Sequence, residues 1–274
     1  MSTGTLLAID GDSLAHRAYH ALPKSIRGAD KRPANALVGF AGFLTTLWDA
    51  EQPEAVLVGW DTLEVATYRH EALETYQSGR EFEDAIVEQL DRLPDLVASF
   101  GFAVAKGGGY EADDFLAAAA GAWKGPVLVV TSDRDAYQLA SDRVTILQPV
   151  KGVSELNRIG PTEVRERYGV EPEQVPDFIA LRGDPSDRIP GAPKVGPKTA
   201  ADIIRRHGSL EQALAEGRFE PIADDLRLYR SIATMDPSAP LPKLAPTPPD
   251  WRRAEAWARE NGLNGVANRL AERA

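Results

Sequence analysis

Nine acidic side chains stand in five clusters of the 274-residue chain, and four of those clusters follow apolar runs that are typical of β-strands. The clusters are Asp10; Asp61; Glu111 with Asp113 and Asp114; Asp133 with Asp135; and Asp184 with Asp187. Carboxylates gathered in one place either raise one another's pKa or bind cations. Because hard divalent ions prefer ligands that are all oxygen, the pattern indicates a site for Mg²⁺ or Mn²⁺.

Each cluster taken alone has a simpler interpretation, because acids in the first turn of a helix cap free N–H groups and complement the helix dipole. That interpretation does not explain why acids recur at strand after strand beside serine or glycine. For the whole set, metal binding is therefore the favoured interpretation. Nine carboxylates exceed the needs of one Mg²⁺, which tends to keep several waters, so two ions about 4 Å apart fit better, as in phosphodiester hydrolysis.

Strands and helices alternate in the first part of the chain. The runs TLLAI, AVLVGW, FAVA, PVLVVT and VTIL (144–147) predict short buried strands, and helical periodicity appears at 13–21, 35–51, 81–100 and 111–122. This alternation predicts an α/β fold with a parallel sheet, whose carboxyl edge would bring the first four clusters into one crevice. Residues 148–160 resemble a turn-rich return before Pro161 begins another helix.

We expect two domains, an α/β domain at 1–173 and a helical domain at 174–274. The helical periodicity of the second domain is interrupted by GDPSDRIPGAPKVGP and by the proline-rich stretch at 236–250. The net charge of −10 by itself argues against a nucleic-acid partner, but residues 1–173 carry −11 and residues 174–274 carry +1. Two divalent ions would offset about four of the negative charges, so the crevice would attract phosphate instead of repelling it.

The composition restricts the chemistry further. The absence of cysteine excludes disulfides, thiolate zinc sites and a cysteine nucleophile, and four histidines leave little scope for imidazole ligands. No apolar stretch approaches the roughly 18 to 20 residues that cross a bilayer, and the amino terminus lacks the pattern of a signal peptide. We therefore expect a cytoplasmic protein with no membrane partner.

The segment at about 189–207 predicts a helix-hairpin-helix. A V-G-P turn precedes a helix from about Pro197 to Arg206, with Gly208 as its C-cap and a further helix after Ser209. Backbone N–H groups at such a turn, with Lys194, Gly196 and Lys198, can bind a backbone phosphate without reading a base. An ordinary connection between two helices with solvated lysines is an equally good interpretation of this segment alone.

Five ordered motifs carry a resemblance to a known family. The motifs DGDSLAHRAYHAL, YRHEALETYQSGR, GYEADD, TSDRDAYQL and GDPSDRIPGAPKVGPKTA resemble the 5′-nuclease family, which includes the amino-terminal 5′-3′ exonuclease domains of bacterial DNA polymerase I, phage 5′ exonucleases and flap endonucleases. The match covers nearly the whole chain, and no polymerase domain follows, so the chain looks like a stand-alone bacterial flap endonuclease/5′-3′ exonuclease. The resemblance implies a PIN-like nuclease core and a helix-three-turn-helix domain.

The resemblance also implies ligand sets for two metal ions. One ion would bind Asp10, Asp61, Glu111 and Asp113, with Asp114 near it, and the second would bind Asp133, Asp135, Asp184 and Asp187. A monovalent cation, often K⁺, is implied at backbone carbonyls of the hairpin, with Val195 as the matching position.

Substrate contacts are implied as well. The segment at about 62–100 would form an arch over the site, where Tyr76 would stack on a terminal base and Arg80 would bind the scissile phosphate. Gln77 stands where the family has lysine in YKxGR, and Arg188 replaces the usual asparagine of SDNIPG. Arg17 and Arg69 match phosphate-contacting positions of the family, and this role is somewhat favoured over the alternative that each is a solvated helix charge.

The function implied is cleavage of duplex DNA that carries a 5′ flap, nick or recessed end, in the removal of RNA primers and repair flaps. Two alternative functions are left open. A PIN-like ribonuclease would use the same carboxylates on single-stranded RNA. A non-catalytic DNA-binding or scaffold protein would use the hairpin alone.

Overall fold

In the computed structural model, residues 4–29, 31–62, 65–78 and 82–274 are described, and within them a six-stranded sheet forms the centre of the protein. The strands are β1 (Leu6–Asp10), β2 (Ala55–Trp60), β3 (Ala103–Lys106), β4 (Val127–Val130), β5 (Val144–Lys151) and β6 (Glu155–Ile159). Their order is β3-β2-β1-β4-β5-β6, with β1 to β5 parallel and β6 antiparallel to β5.

Helices connect and cover these strands. They are α1 (Gly11–Ala21), α2 (Asn35–Glu51), α3 (Tyr68–Ala72), α4 (Asp84–Leu90), α5 (Leu93–Ser99), α6 (Ala112–Ala122), α7 (Pro161–Tyr168), α8 (Val175–Arg182), α9 (Pro197–His207), α10 (Leu210–Ala215), α11 (Ala223–Ala233), α12 (Trp251–Glu260) and α13 (Asn264–Ala271). Short 3₁₀ helices occur at Asp135–Leu139, Pro172–Gln174 and Glu220–Ile222. None of the helices in the described ranges is long and apolar enough to span a bilayer.

The sheet separates two hydrophobic cores because successive strand side chains point to opposite faces. Leu6 and Ala8 of β1 pack in one core, with α6 and the helices α8 to α11. Leu7 and Ile9 pack in the other, with α1, α2 and α5. Both faces of β1 are thus fully buried, which explains why the run LLAI is apolar without alternation.

Helices α12 and α13 lie in the second of these cores and contact α5 and α2. The proline-rich segment 236–250, here called the proline-rich strap, connects α11 to α12. Hydrogen bonds fix both of its ends: the Asp236 N–H donates to Asp114, and the Asp250 N–H donates to the carbonyl of Phe100. Helices α8 to α11 instead pack on the α6 side. A domain boundary at 173 stays a prediction, and the last two helices pack with residues on the amino-terminal side of it.

Two predicted elements are wrong in detail. Residues 148–160 are not a turn-rich return, because β5 runs to Lys151 and pairs with the edge strand β6, whose mostly polar, exposed residues hide its strand character. The helix predicted at 81–100 is two helices in its described part, α4 and α5. Pro94 lies at the second position of α5, where its missing N–H is tolerated, and this favours a new helix start over a continuous helix.

Candidate active site

The order of the strands determines where the acidic residues meet. From β1 the chain proceeds to β2 on one side, and after β3 it returns to β4 on the other side of β1. In an open parallel sheet, a crevice forms at the carboxyl ends of the strands where the order reverses. Asp10 ends β1, Asp61 follows β2, and Asp133 lies three residues beyond β4.

A pocket of about 630 Å³ lies at this edge. Eight of the nine predicted acids line it, namely Asp10, Asp61, Glu111, Asp113, Asp133, Asp135, Asp184 and Asp187. Asp184 and Asp187 arrive from the loop after α8, so the helical region closes one side of the pocket over the sheet edge. The folded chain therefore brings together acids that are up to 177 positions apart in the sequence.

Asp10 is 8% exposed and is the N-cap of α1. One carboxylate oxygen accepts the N–H of Ser13 at 2.9 Å, and the other accepts the hydroxyl of Thr131 at 2.6 Å. Burial raises the pKa of Asp10 to about 7, and the charges of Asp61 and Asp133 act in the same direction. The residue thus combines the capping role with a position in a pocket of like charges.

Asp61 and Asp12 lie beside Asp10. Asp61 Oδ1 accepts the N–H of Ala112 at 2.7 Å, and Asp12 Oδ2 accepts the N–H of Asp61 at 2.7 Å. Burial, and after it the charge of Asp61, raises the pKa of Asp12 well above its ordinary value. Asp12 lines the pocket but was not predicted from the sequence. Its signal is the second acid of Asp-Gly-Asp, two residues after the strand-ending Asp10.

Glu111 and Asp113 stand at the start of α6. Glu111 is held between two hydroxyl donors, Thr67 at 2.8 Å and Tyr76 at 3.0 Å. Burial raises the pKa of Glu111 and of Asp113, while the charge of Arg69 opposes the rise in both. Asp113 Oδ1 is buried and has no hydrogen-bond partner within the described part of the chain. A buried carboxylate oxygen in that state is costly unless a cation or proton reaches it.

Asp114, the ninth predicted acid, does not line the pocket, so its assignment as a metal ligand is corrected. It is 0% exposed, and its oxygens accept from both terminal nitrogens of Arg69, at 2.9 and 2.8 Å. The N–H groups of Glu111 and Asp236 also donate to it, at 3.0 and 2.8 Å. By accepting these hydrogen bonds, Asp114 links α3, α6 and the proline-rich strap. It is not among the residues that line the pocket.

Arg69 was predicted to contact phosphate. It lines the pocket, but its guanidinium is bound by internal partners. The side chain is 1% exposed, and besides Asp114 it approaches Asp113 at 3.4 Å and Glu111 at 3.3 Å. Its Nε donates to the carbonyl of Ile232 in α11 at 2.9 Å. The guanidinium is therefore the internal counter-charge of the Glu111, Asp113 and Asp114 cluster and a link between α3 and α11.

Tyr76 is also buried, at 4% exposure, so the stacking of its ring on a terminal base is not supported. Its ring contacts His70 edge-on, with 5.1 Å between centroids, and its hydroxyl donates to Glu111. Gln77 Nε2 donates to the Tyr76 oxygen at 2.8 Å and to Asp187 Oδ1 at 3.2 Å. Both positions were predicted to contact DNA; both side chains line the pocket and contact its acids.

Arg17 and Arg80 were also predicted to contact the substrate. Arg17 Nη2 donates to Ser132 Oγ at 3.2 Å and to the carbonyl of Pro149 at 3.0 Å, and Arg17 is not part of the pocket lining. The structure thus gives Arg17 a role in joining α1 to the loop after β4 and to β5. Arg80, predicted to bind the scissile phosphate, lies outside the described residues.

Asp133 and Asp135 follow β4. Asp133 Oδ1 accepts the N–H of Asp135 at 2.9 Å, and the 3₁₀ helix begins at Asp135. Burial raises the pKa of Asp135 well above its ordinary value, and after burial the charges of Asp133, Asp187 and Asp184 contribute. The acids from the sheet and the acids from the helical region therefore share one electrostatic environment.

Asp184 and Asp187 lie on a tight loop. The N–H groups of Asp184 and Ile189 each donate to the other residue's carbonyl at 2.8 Å, which closes the loop at 184–189. Arg182 Nη2 pairs with Asp184 Oδ2 at 2.9 Å, and the Arg182 guanidinium lies near the rings of Tyr168 and Phe178. Arg182 lines the pocket and was not predicted; its signal was a cation directly before the Gly-Asp pair.

The hairpin follows this loop directly. Gly183 and Gly191 have φ of 76° and 73°, and a Cβ on either would meet backbone atoms of the other strand of the loop at 2.7 and 2.3 Å. Helix α9 begins at Pro197 and ends before Gly208, as predicted, and Ser209 caps α10 by accepting the N–H of Gln212. Lys194, Gly196 and Lys198 are all exposed.

The donor set fits divalent cations by its chemistry. The pocket supplies carboxylate oxygens, several with raised pKa values, and the buried Asp113 Oδ1 needs a positive partner. Among the residues that the structure describes, no group of three acidic or imidazole side chains converges closely enough to ligate one ion. Several of these carboxylates accept from the N–H, hydroxyl and guanidinium donors described above, which fix their orientation.

Comparison with known proteins identifies the family. The family model described as the 5′-3′ exonuclease N-terminal resolvase-like domain matches residues 5–169, and the model described as the 5′-3′ exonuclease C-terminal SAM fold matches residues 170–251. The chain belongs to the 5′-3′ exonuclease family. The family inferred from the motifs is thereby confirmed, as is the α/β fold with a helical carboxyl-terminal region.

Relatives of the chain include both separate nucleases and polymerases. A 5′-3′ exonuclease of Mycobacterium tuberculosis is 35% identical over 245 residues, which are 81% of this chain and 77% of that protein. DNA polymerase I of the same organism is 39% identical over 269 residues, which are 94% of this chain and 29% of the polymerase. The chain thus spans about three tenths of the length of the polymerases that it matches.

Among solved structures, the flap endonuclease of bacteriophage T5, in a complex with DNA and metal ions, has the same fold. The TM-score is 0.70 with 18% identity, and the match covers 98% of each chain.

The raised pKa of Asp10 predicts how this exonuclease-family protein responds to pH without metal. Folding raises the pKa of Asp10 from 3.8 to about 7, so the folded state binds more protons in that interval and its stability falls as pH rises through it. We expect Asp10→Asn to be more stable than the parent at pH 8 in EDTA, and to be less sensitive to pH. Thermal unfolding at pH 5 and pH 8 measures both effects.

The unfolding temperatures of the parent and of Asp10→Asn are also compared in excess Mg²⁺. An ion that binds only the folded state raises the unfolding temperature by mass action, so Mg²⁺ should stabilise the parent more than Asp10→Asn. Equal pH profiles of the two proteins in EDTA would contradict the raised pKa.

Proposed function

We propose that the chain is a structure-specific 5′-3′ exonuclease and flap endonuclease that hydrolyses DNA phosphodiesters in replication and repair. The observation that supports this most strongly is the single pocket in which acids from β1, β2, α6, the loop after β4 and the loop after α8 meet. Its substrate would be duplex DNA with a 5′ flap, nick or recessed end, and RNA-primed strands belong to the same class. A cytoplasmic location, expected from the sequence, stays a prediction.

Eight carboxylates are proposed to bind two divalent ions, Mg²⁺ or Mn²⁺. The first set is Asp10, Asp61, Glu111 and Asp113, with Asp12 beside it, and the second is Asp133, Asp135, Asp184 and Asp187. When bound, such a pair of ions supplies hydroxide near neutral pH and stabilises the departing oxygen of the phosphodiester. The protein's own contribution is to hold the oxygens ready: Thr67 and Tyr76 orient Glu111, and Thr131 and the N–H of Ser13 orient Asp10.

The hairpin is proposed to bind the duplex away from the cut. Lys194 and Lys198 are exposed on either side of Gly196, and a phosphate there would face the amino terminus of α9. A monovalent cation such as K⁺ at the Val195 carbonyl is part of this proposal, because carbonyl oxygens in a turn suit such an ion. The loop at 184–189 joins the hairpin to two of the acids, so the DNA contact and the pocket are at a fixed separation.

The hairpin lysines predict a salt-dependent effect. Replacing both Lys194 and Lys198 with alanine should weaken binding of all duplex DNA sequences alike. The slope of log affinity against log salt should fall by about 0.9 for each phosphate that the variant no longer neutralises. Fluorescence anisotropy at several salt concentrations measures this slope. Lys124→Ala is the control, because Lys124 is exposed at the opposite edge of the sheet, between α6 and the start of β4, and should leave the slope unchanged.

The decisive experiment compares substrates. A 5′-flap DNA duplex and a single-stranded RNA of the same length are each incubated with the protein in Mg²⁺ and in EDTA. We expect cleavage of the flap near its junction in Mg²⁺, with no cleavage in EDTA and little on RNA. Preference for the RNA would identify a PIN-like ribonuclease instead.

A further inference from the structure

The turn at 75–78 contacts the acidic loop at 184–189 through main chain and side chain. The N–H of Gln77 donates to the carbonyl of Asp187 at 3.2 Å, and Arg188 Nη1 donates to Ser78 Oγ at 3.0 Å. Gln77 and Arg188 both have positive φ, 47° and 57°, although neither is glycine. Residues other than glycine rarely adopt such backbone conformations, which persist only where surrounding contacts fix them. The two loops therefore fix each other's conformation.

The side chain of Gln77 extends this contact into the pocket. Its amide nitrogen donates to the Tyr76 oxygen at 2.8 Å and to Asp187 Oδ1 at 3.2 Å, and the Tyr76 hydroxyl donates to Glu111 Oε2 at 3.0 Å. A hydrogen-bonded chain thus runs from Glu111 through Tyr76 and Gln77 to Asp187. Glu111, Tyr76 and Asp187 are 7%, 4% and 9% exposed, so water competes little for these bonds.

The chemistry of an amide suits this bridging position. An amide NH₂ carries two N–H groups. In Gln77 one can donate to Tyr76 on the Glu111 side of the pocket while the other donates to Asp187 on the opposite side. A phenol oxygen can accept from Gln77 while its own proton goes to Glu111, so every donor in the chain has an acceptor. Hydrogen bonds to a ligating carboxylate fix its orientation, and their loss typically costs about 10- to 100-fold in metal affinity.

We propose that Gln77 is a positioning residue that couples the Glu111 side of the pocket to the Asp187 side, so that divalent ions bind the two sides cooperatively. This rests on the proposed two-ion function. Orienting Glu111 by one ion orders Tyr76 and Gln77, and these in turn hold Asp187 in place for the other ion. Because coupling between two binding sites is reciprocal, an ion on the Asp187 side favours binding on the Glu111 side to the same extent.

A Mn²⁺ titration by calorimetry, with no DNA present, tests the coupling. The variants are Gln77→Met, which keeps the length but loses both N–H groups, Tyr76→Phe, which loses only the hydroxyl, and the double variant. We expect two ions in the parent and about 10- to 100-fold weaker binding in each single variant. The double variant should be little weaker than either single one, because both changes break the same chain.

Thr75→Ala is the matched control, because Thr75 is exposed in the same turn and its side chain takes part in none of the contacts described above. We expect its Mn²⁺ affinity to equal that of the parent. Thermal unfolding in EDTA establishes that each variant folds, and Tyr76→Phe tests the chain from its other end if Gln77→Met does not fold.

The possible outcomes separate the two proposals. A parent that binds no Mn²⁺ contradicts the two-ion function itself. A parent that binds two ions, together with Gln77→Met or Tyr76→Phe variants of parental affinity, overturns the coupling and leaves the two-ion function standing. Strictly additive losses in the double variant also overturn it, because independent contributions would then explain the data.

Discussion

Replacing Asp184 with alanine is expected to abolish cleavage of a 5′-flap duplex while DNA binding is retained. Asp184 is 8% exposed, lines the pocket and pairs with Arg182, so its removal deletes a proposed ligand and leaves a cation facing the second set of acids. A catalytic metal contributes several kcal/mol of transition-state stabilisation, and about 4 kcal/mol corresponds to roughly 10³-fold in rate. Single-turnover cleavage in Mg²⁺ measures the rate, and anisotropy in EDTA measures binding.

Asp225→Ala is the control for this variant. Asp225 is exposed on α11, so the change removes one negative charge from the same helical region without reaching the pocket. Its cleavage rate should be that of the parent. Parental cleavage by Asp184→Ala would instead mean that these acids are not catalytic and would favour a DNA-binding or scaffold protein that uses the hairpin alone.

The general position of the site was predictable because it depends on topology. Buried strands alternate with helices, and this pattern alone places the residues after β1, β2 and β4 at one edge of a parallel sheet. The hairpin was predictable for a similar reason, because proline, glycine and serine mark the ends of α9 and the start of α10 locally.

Side-chain directions were not predictable, because they depend on partners that are remote in the sequence. Asp113 and Asp114 are neighbours in one helical turn, and Asp114 is held in the interior by partners remote in the sequence, namely Arg69, 45 residues away, and Asp236, 122 residues away. Gln77 reaches Asp187 across 110 residues. Helical periodicity likewise indicates that α12 and α13 each bury one face, but not that this face packs with the sheet.

Arg69→Ala is expected to destabilise the folded protein strongly. The guanidinium lies at 1% exposure between Asp114, Asp113 and Glu111 and also binds the Ile232 carbonyl. Removing one partner of a buried ion pair costs about 3–5 kcal/mol, because the remaining charge stays buried without compensation. This is a large share of the roughly 5–15 kcal/mol that stabilises a typical domain. Urea unfolding in EDTA measures the loss of stability.

The loss should depend on pH in a defined direction. Without Arg69, the largest influence that opposes the effect of burial on Glu111 and Asp113 is lost, so their folded-state pKa values rise further above their unfolded values. The folded variant then binds more protons than the unfolded chain, and its stability falls as pH rises. We therefore expect a greater deficit relative to the parent at pH 8 than at pH 5.

Two variants distinguish this charge effect from a loss of packing. Arg69→Lys keeps the charge but cannot form the paired contacts with Asp114, so its deficit should be intermediate and should vary less with pH than that of Arg69→Ala. Arg165→Ala breaks an exposed pair with Glu171 at 2.8 Å and should cost at most about 1 kcal/mol. If Arg69→Ala were as stable as Arg165→Ala, the Glu111, Asp113 and Asp114 cluster could not depend on Arg69. The buried carboxylates would then be stable without a nearby cation. We do not expect this result, because burying a charge without a partner costs free energy.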